Sequence, residues 1–126
     1  MRSALEAGIV PGAGLALYAA SKKLVNKEID SDYNSAFNVV KNAITKPLDQ
    51  ILVNAGIEPK KIISLIEKEK KANFGYDVKN EEFGDLYKLG VIDPLKVTKN
   101  ALINSSSVAT TILSTNAIVT HARIKD

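Results

Sequence analysis

The sequence contains no cysteine and no tryptophan, and it has a single methionine and a single histidine, His121. Without cysteine the chain can form no disulfide, no thiolate metal site and no cysteine nucleophile. A lone histidine offers no second imidazole to a metal, so we expect His121 to be an exposed or strand-pairing residue. No serine, histidine and acid arrangement suggests a hydrolase triad. The sequence therefore predicts no catalytic residue and no metal-binding residue.

Long apolar runs are also missing. No stretch approaches the roughly 18 apolar residues that a membrane-spanning helix needs. The N-terminus does not show the basic-then-apolar pattern of a secretory signal. We therefore expect the chain to have no membrane partner.

Arginine is scarce beside lysine, which supplies most of the positive charge behind the net charge of +3 and the pI near 9.1. Nucleic-acid surfaces more often interleave arginine with aromatic residues along a groove. We interpret the main lysine cluster as a solvated face and expect no nucleic-acid partner; it contains Lys60, Lys61, Lys68, Lys70 and Lys71.

What is present is the composition of one ordinary globular domain of 126 residues, with 45% hydrophobic and 25% charged residues. Apolar spacing and caps predict a mainly α-helical fold. The first expected helix runs from Leu15 to Val25, with Leu17, Ala20, Leu24 and Val25 on its inward side. The second runs from Asp30 or Ser31 to a break at Thr45 to Pro47, the third from Leu48 to Gly56, and the fourth starts at Pro59. A long last helix is expected to start with Asp93 as N-cap and Pro94 as first residue, and to be buried on most sides.

A few short strands accompany these helices. Ile9-Val10 and Val91-Ile92 are each predicted as short buried strands. Phe74 to Asp77 is predicted as a strand, with Asn80 to Gly84 as a turn or the second arm of a hairpin. Ala117 to Ile124 has strand character without a partner of similar length, which makes it a candidate for pairing with another chain.

The glycine-rich stretch from Gly8 to Gly14 predicts a strand, a turn and then a helix. Glycine lets a backbone approach a bulky ligand closely, and the following helix N-terminus offers free N–H donors. The same pattern also serves as a plain connector. These residues alone leave both interpretations open.

Four motifs occur in order along the chain, and together they resemble the C-terminal part of the equatorial domain in group I chaperonins, the GroEL type. They are Glu-Ala-Gly-Ile-Val-Pro-Gly-Ala-Gly14, Asn54-Ala-Gly-Ile-Glu-Pro59, Phe74-Gly-Tyr-Asp77 and Gly90-Val-Ile-Asp-Pro-Leu-Lys-Val-Thr98. The resemblance extends from about Arg2 to Thr120.

The resemblance implies a domain division and a place in a larger subunit. Residues 1–7 would be the end of the helix from the intermediate domain, and residues 8–126 the C-terminal part of the equatorial, ATP-binding domain. Arg2 to Gly8 looks like the last turns of a helix, so we expect the chain to be a fragment of an ATP-dependent, double-ring protein-folding machine. The alternative is a free-standing helical interaction module without ATPase activity.

The resemblance also implies a nucleotide site. The turn Gly12, Ala13 and Gly14 would lie beside the nucleotide, and Asp77, Val78 and Lys79 would contact the adenine edge. Asp93 would hold the ribose hydroxyls as well as capping the last helix, and Val91 with Val78 could cover the base. Ala13 replaces the usual middle glycine, which is harmless only with a negative φ or with a Cβ that clears the ligand. Asp77 replaces the commoner Asn and cannot donate when ionised.

Cofactor, partners and compartment follow from the same resemblance. The cofactor would be ATP or ADP, with Mg²⁺ held by residues outside these 126. The phosphate loop and catalytic aspartate of the family lie upstream, so we expect no ATPase activity from this chain alone. Partners would be identical subunits in a ring, paired through Ala117 to Ile124, and in the full-length protein unfolded polypeptides and a co-chaperonin. The location would be the cytoplasm if bacterial, or alternatively a mitochondrion or plastid.

Overall fold

The computed structural model describes residues 2–26, 30–117 and 119. These residues form a mainly α-helical chain with a few short strands, which confirms the predicted fold class. No helix within these ranges is long and apolar enough to cross a membrane. In chain order the elements are α1 Arg2–Ala7, β1 Ile9–Pro11, α2 Leu15–Lys23, α3 Ser31–Asn54, α4 Pro59–Glu69, β2 Phe74–Asp77, β3 Glu82–Asp85, β4 Ile92–Pro94 and α5 Leu95–Leu113.

The strands form two small antiparallel pairs. β2 pairs with β3, which confirms the predicted hairpin, and Phe83 on β3 packs against the rings of Phe74 and Tyr76. β1 pairs with β4. The expectation that these two strands are buried was wrong, since Ile9 is 42% and Ile92 43% exposed. A two-stranded pair leaves one face to solvent unless another layer covers it.

The hydrophobic core lies where α2, the second half of α3, α4 and the turn after β3 meet. Its buried members are Leu15, Tyr18, Leu48, Leu52, Ile62, Ile66 and Leu86. The inward face predicted for α2 was wrong. Leu15, Tyr18 and Ser21 are buried instead of Leu17, Ala20 and Leu24. A helix with alanine and leucine on every side has no face that hydrophobicity alone selects.

α3 is one continuous helix from Ser31 to Asn54, so the predicted break at Thr45 to Pro47 was wrong. Proline within a helix removes one hydrogen bond and disfavours helical geometry before it. Burial of Leu48 and Leu52, directly after Pro47, offsets that cost. The N-terminal end is as predicted, since Asp30 is the N-cap and its Oδ1 accepts from Asp32 N at 2.8 Å.

α5 starts differently from the prediction. Asp93 is not its N-cap: Asp93 pairs with Val10 in the β1–β4 ladder, so Pro94 takes the cap position and the helix begins at Leu95. Because the strand runs through Pro94 and the helix begins at Leu95, Asp93 lies one position too early to be the N-cap.

The burial predicted for α5 was also wrong within the described chain. No residue of α5 is buried, and its main contacts are with α1 and β4. One ion pair joins it to α1, between Lys96 Nζ and Glu6 Oε2 at 2.8 Å. The predicted C-terminal strand, Ala117 to Ile124, lies outside the described residues except for residues 117 and 119.

Candidate functional site

A cleft of about 440 Å³ lies where four separate segments of the chain meet. The segments are the turn after β1, the second half of α3, the tip of the β2–β3 hairpin and the stretch before β4. The lining residues are Ala13, Ile51, Asp77, Val78, Lys79, Asn80, Leu89, Gly90 and Val91. The fold thus brings together Ala13, Asp77 to Lys79 and Val91, which the sequence analysis had selected from distant positions.

The turn before α2 has a fixed backbone conformation. Leu15 N donates to Gly12 O at 3.0 Å, and the two residues between them have positive φ, 53° at Ala13 and 76° at Gly14. Two positive φ values in the middle of a four-residue turn are typical of type I′. Gly12 N donates to Val91 O at 2.9 Å, which ties this turn to the segment that forms another side of the cleft.

Gly12 and Gly14 do not line the cleft but permit close packing behind it. A Cβ added at Gly14 would lie 2.6 Å from Leu48 N, and one added at Gly12 would lie 3.2 Å from the backbone of Val91. Contacts this close to backbone atoms leave no room for a side chain at Gly14 and little at Gly12. Both glycines therefore allow the turn to pack closely against neighbouring backbone, a role that the residue pattern did not predict.

Ala13 occupies the middle of the turn and lines the cleft. Its φ of 53° is in the left-handed region, which costs an L-residue with a Cβ about 1–2 kcal/mol. A negative φ at Ala13 was one of the two conditions under which alanine would be harmless at this position. That condition is not met, so the cleft contains a strained residue.

Asp77, the last residue of β2, is 5% exposed and accepts hydrogen bonds on both carboxylate oxygens. Oδ1 accepts from Lys79 N at 2.9 Å and from Asn80 N at 3.4 Å, and Oδ2 accepts from Asn80 Nδ2 at 2.7 Å. Burial raises the pKa of Asp77, but these donated hydrogen bonds outweigh it and hold the pKa below its ordinary value of 3.8. Asp77 is therefore ionised at neutral pH and stabilises the hairpin tip.

The other sides of the cleft are mainly apolar. Val78, Leu89 and Val91 are half-buried and pack against the hydrophobic core. Val91 N donates to Leu86 O at 2.9 Å, which fixes this segment to the turn after β3. Apolar walls with a few polar groups at one edge suit a flat, mostly apolar ring that carries polar atoms on its rim.

Asp93 does not line the cleft. It is exposed on β4, opposite Val10, two residues beyond Val91. Of the eight residues predicted for the site, five line the cleft, Gly12 and Gly14 lie behind the turn, and Asp93 lies on the adjoining strand pair.

Four residues of the cleft were missed by the sequence analysis: Ile51, Asn80, Leu89 and Gly90. Ile51 shares helical spacing with the buried Leu48 and Leu52, which is typical of a core residue, yet it is 36% exposed. Asn80 carried a usable signal, since an aspartate followed by a polar turn residue at a strand end favours a side-chain-stabilised turn.

A larger groove of about 790 Å³ lies between α3 and α4, on another side of α3. Its lining includes Lys46, Asp49, Val53 and Lys60, and none of the predicted site residues. Because its charges are mixed and no predicted residue converges on it, the smaller cleft is the better candidate. Within the described ranges, no group of three or more histidine, aspartate or glutamate side chains could hold a metal ion.

These features define a mainly α-helical domain in which short strands and turns frame one small cleft with a buried carboxylate at its edge. The sequence matches the TCP-1/cpn60 chaperonin family over residues 1–123. Because the match covers nearly the whole chain, the chain belongs to this family. Membership carries with it a chaperonin-type role in protein folding, oligomeric ring assembly and the binding of substrates in general.

Proposed function

We propose that the chain is the C-terminal part of the equatorial domain of a group I chaperonin subunit, and that its cleft binds the adenosine part of ATP or ADP. The observation that carries the proposal is that residues from distant parts of the sequence line the same cleft. Ala13, Asp77 to Lys79 and Val91 come from three distant motifs of the resemblance, and all line one cleft.

The chemistry of the cleft supports an adenine ring. Val78 and Val91 line the cleft and offer apolar contacts to a flat base. Asp77, ionised and buried at the edge, accepts from an exocyclic amino group. Each of these roles follows from a group that the fold already holds in place.

Asp93 is proposed to hold the ribose. Its carboxylate is exposed and makes no hydrogen bond or ion pair with the residues that the structure describes, so it is available to two hydroxyl donors. The phosphates and Mg²⁺ would be held by residues outside these 126, where the family has its phosphate loop and catalytic aspartate. We therefore expect no ATP turnover by this chain alone.

The wider setting is proposed on the resemblance alone. Residues 1–7 would end a helix of the intermediate domain, and the segment Ala117 to Ile124 would pair with a neighbouring identical subunit in the ring. Unfolded polypeptides and a co-chaperonin would bind the full-length protein. The compartment would be the bacterial cytoplasm or, alternatively, a mitochondrion or plastid.

Titration of the ¹⁵N-labelled chain with millimolar ADP, followed by amide chemical shifts, tests the proposed binding. Shifts are expected at Ala13, Val78, Lys79 and Val91. Ile51→Glu places a charge on the α3 side of the cleft and should abolish them. Val53→Glu is the matched control, since Val53 lies on the same helix but lines the larger groove.

The two variants and the wild-type chain together separate three outcomes. Loss of binding in Ile51→Glu with retention in Val53→Glu supports the proposal. Loss only in Val53→Glu would place the nucleotide in the larger groove and contradict the proposed site. An unchanged wild-type spectrum at saturating ADP would contradict nucleotide binding itself.

A helical interaction module without an ATPase cycle is the second candidate, and one observation favours it. α5 carries apolar side chains that are about half exposed, among them Val97, Ile103, Val108 and Ile112. Exposed apolar surface of this kind often marks a protein contact. The titration distinguishes the candidates, because the interaction module alone predicts no response to ADP.

A further inference from the structure

Asn80 lies in the cleft beside Asp77 and was not among the predicted site residues. Its Nδ2 donates to Asp77 Oδ2 at 2.7 Å. An ionised carboxylate only accepts, so the amide must turn its NH₂ group toward Asp77, and the orientation of Asn80 follows from chemistry. Its second N–H and its Oδ1 make no hydrogen bond with any residue in the described part of the chain.

Asp77 alone cannot make hydrogen bonds to both polar atoms on the edge of an adenine. That edge presents an amino donor at position 6 and, next to it, a ring nitrogen at position 1 that accepts. An ionised carboxylate pairs with the amino group but offers nothing to the ring nitrogen. A ring nitrogen that loses its water on binding and gains no protein donor weakens the affinity.

Asn80 supplies the missing donor. Its free N–H extends from the same amide nitrogen that is bonded to Asp77, so donor and acceptor are held side by side. The backbone N–H groups of Lys79 and Asn80 fix Asp77 in turn, which keeps the pair in one geometry. Together the two side chains present an acceptor next to a donor.

We infer, on the basis of the proposed nucleotide site, that Asn80 is a specificity-determining residue whose amide donates to the ring nitrogen of the base while Asp77 accepts from its amino group. A 6-oxo purine such as hypoxanthine presents the opposite pattern, an accepting oxygen at position 6 and an N–H at position 1. The Asp77 carboxylate and the oxygen at position 6 would both be acceptors facing each other, so the cleft should reject such a base.

A purely structural role for Asn80 makes a different prediction. If the amide only locks the hairpin tip, its loss should weaken every nucleotide by the same factor. If the amide contacts the ring nitrogen, its loss should weaken only ligands that have that nitrogen. The ratio of affinities for two ligands within one variant therefore separates the two roles.

The test compares dissociation constants for ADP, its 1-deaza analogue and IDP by amide-shift titration. We expect the wild-type chain to bind ADP about three- to tenfold more tightly than 1-deaza-ADP, which is the effect of one net hydrogen bond. Asn80→Ala should bring that ratio close to one. Asn54→Ala, which removes an exposed side-chain amide outside the cleft, should keep the wild-type ratio.

The side-chain amide signal of Asn80 gives a second readout that needs no variant. It should shift with ADP and much less with 1-deaza-ADP. An unchanged ratio in Asn80→Ala, or an amide signal that responds equally to both ligands, would overturn the inference and leave the proposed nucleotide site intact. Failure of ADP to bind the wild-type chain would overturn both.

Discussion

At the scale of single residues, Ala13 is a position where residue type and backbone conformation disagree. It is an L-residue with a Cβ at a φ of 53°, in the turn that borders the cleft. Ala13→Gly should stabilise the fold by about 0.5–1 kcal/mol, because relief of the left-handed strain exceeds the added flexibility of the unfolded chain. Urea denaturation measures this difference.

Lys70→Gly is the matched control for Ala13→Gly. Lys70 also has a positive φ, 51°, but is exposed at the end of α4 and does not line the cleft. Both variants should gain stability, and only Ala13→Gly should change ADP affinity. A loss of stability in Ala13→Gly would mean that strain is not the dominant effect at this turn.

Gly14 shows why the turn needs glycine for two separate reasons. Its φ is 76°, and an added Cβ would lie 2.6 Å from Leu48 N. Gly14→Ala should therefore cost about 2–4 kcal/mol, from the left-handed conformation and the overlap with α3 together. Thermal or urea unfolding checks this value.

Gly56 is the control for conformation without overlap. Its φ is 74°, and nothing lies within 4 Å of an added Cβ. Gly56→Ala should cost only about 1–2 kcal/mol. Equal costs at the two positions would contradict the idea that the turn packs directly against α3.

At the scale of elements, α2 and α4 are joined by a small polar cluster. Tyr18 Oη donates to Glu67 Oε1 at 2.5 Å, and Lys22 Nζ lies 2.6 Å from the same oxygen. The hydrogen bonds from Lys22, and then from Tyr18, hold the pKa of Glu67 below its ordinary value of 4.5. The ionised form of Glu67 thus stabilises the contact between the two helices.

This cluster predicts a pH dependence. A lowered pKa in the folded state adds stability above the ordinary value near 4.5, and that stability is lost as the pH falls through the lower, folded-state pKa. The side chains of Lys22 and Glu67 are about half exposed, so the loss should stay below about 1 kcal/mol. Urea unfolding at neutral and acidic pH measures it, and Glu67→Gln should reduce the pH dependence of stability and leave the part that Asp77 contributes.

Glu69→Gln is the control for that comparison. Glu69 pairs with Lys71 at the end of α4, so its ion pair does not join two helices. The pH dependence of the variant should match that of the wild-type chain. If Glu67→Gln also keeps the full pH dependence, the cluster is not its source.

Of the longer helices α2 to α5, α5 should open most readily. Among the described residues none of its side chains is buried, and its many serine, threonine, asparagine and β-branched residues have low helix propensity. Amide protons of α5 are expected to exchange with solvent at least about tenfold faster than those near Leu48 and Leu52 in α3. Equal protection would show that α5 is stabilised by a contact absent from the described chain.

The sequence predicted the kinds of elements better than their packing. The hairpin, the Asp30 cap and the Pro59 start follow from local chemistry, so residue types were enough to find them. The inward face of α2 and the continuity of α3 through Pro47 depend on long-range burial, which no local pattern encodes. The start of α5 was likewise predicted one residue too early, because the pairing of β4 with β1 extends through Pro94.

At the scale of the whole molecule, the candidate site exists only because the core brings distant segments together. Val78 and Val91 were predicted to contact a ligand, and in the structure they also pack against the core. Ile51 and Leu89 complete the cleft from positions outside the four motifs. The residues selected from the motifs therefore come from three of the four segments that line the candidate cleft, and α3 is the segment that the motifs did not indicate.

The most direct test of the nucleotide site is the detection of nuclear Overhauser effects between bound ADP and the methyl groups of the ¹³C-labelled chain. The proposal predicts contacts from the adenine protons to Val78 and Val91, and from the ribose protons to residues near Asp93. Ile51→Glu should remove these contacts, and Val53→Glu should preserve them. Adenine contacts to Val53 and Ile63 in the larger groove, or no contacts at saturating ADP, would contradict the assignment of this cleft as the adenosine site.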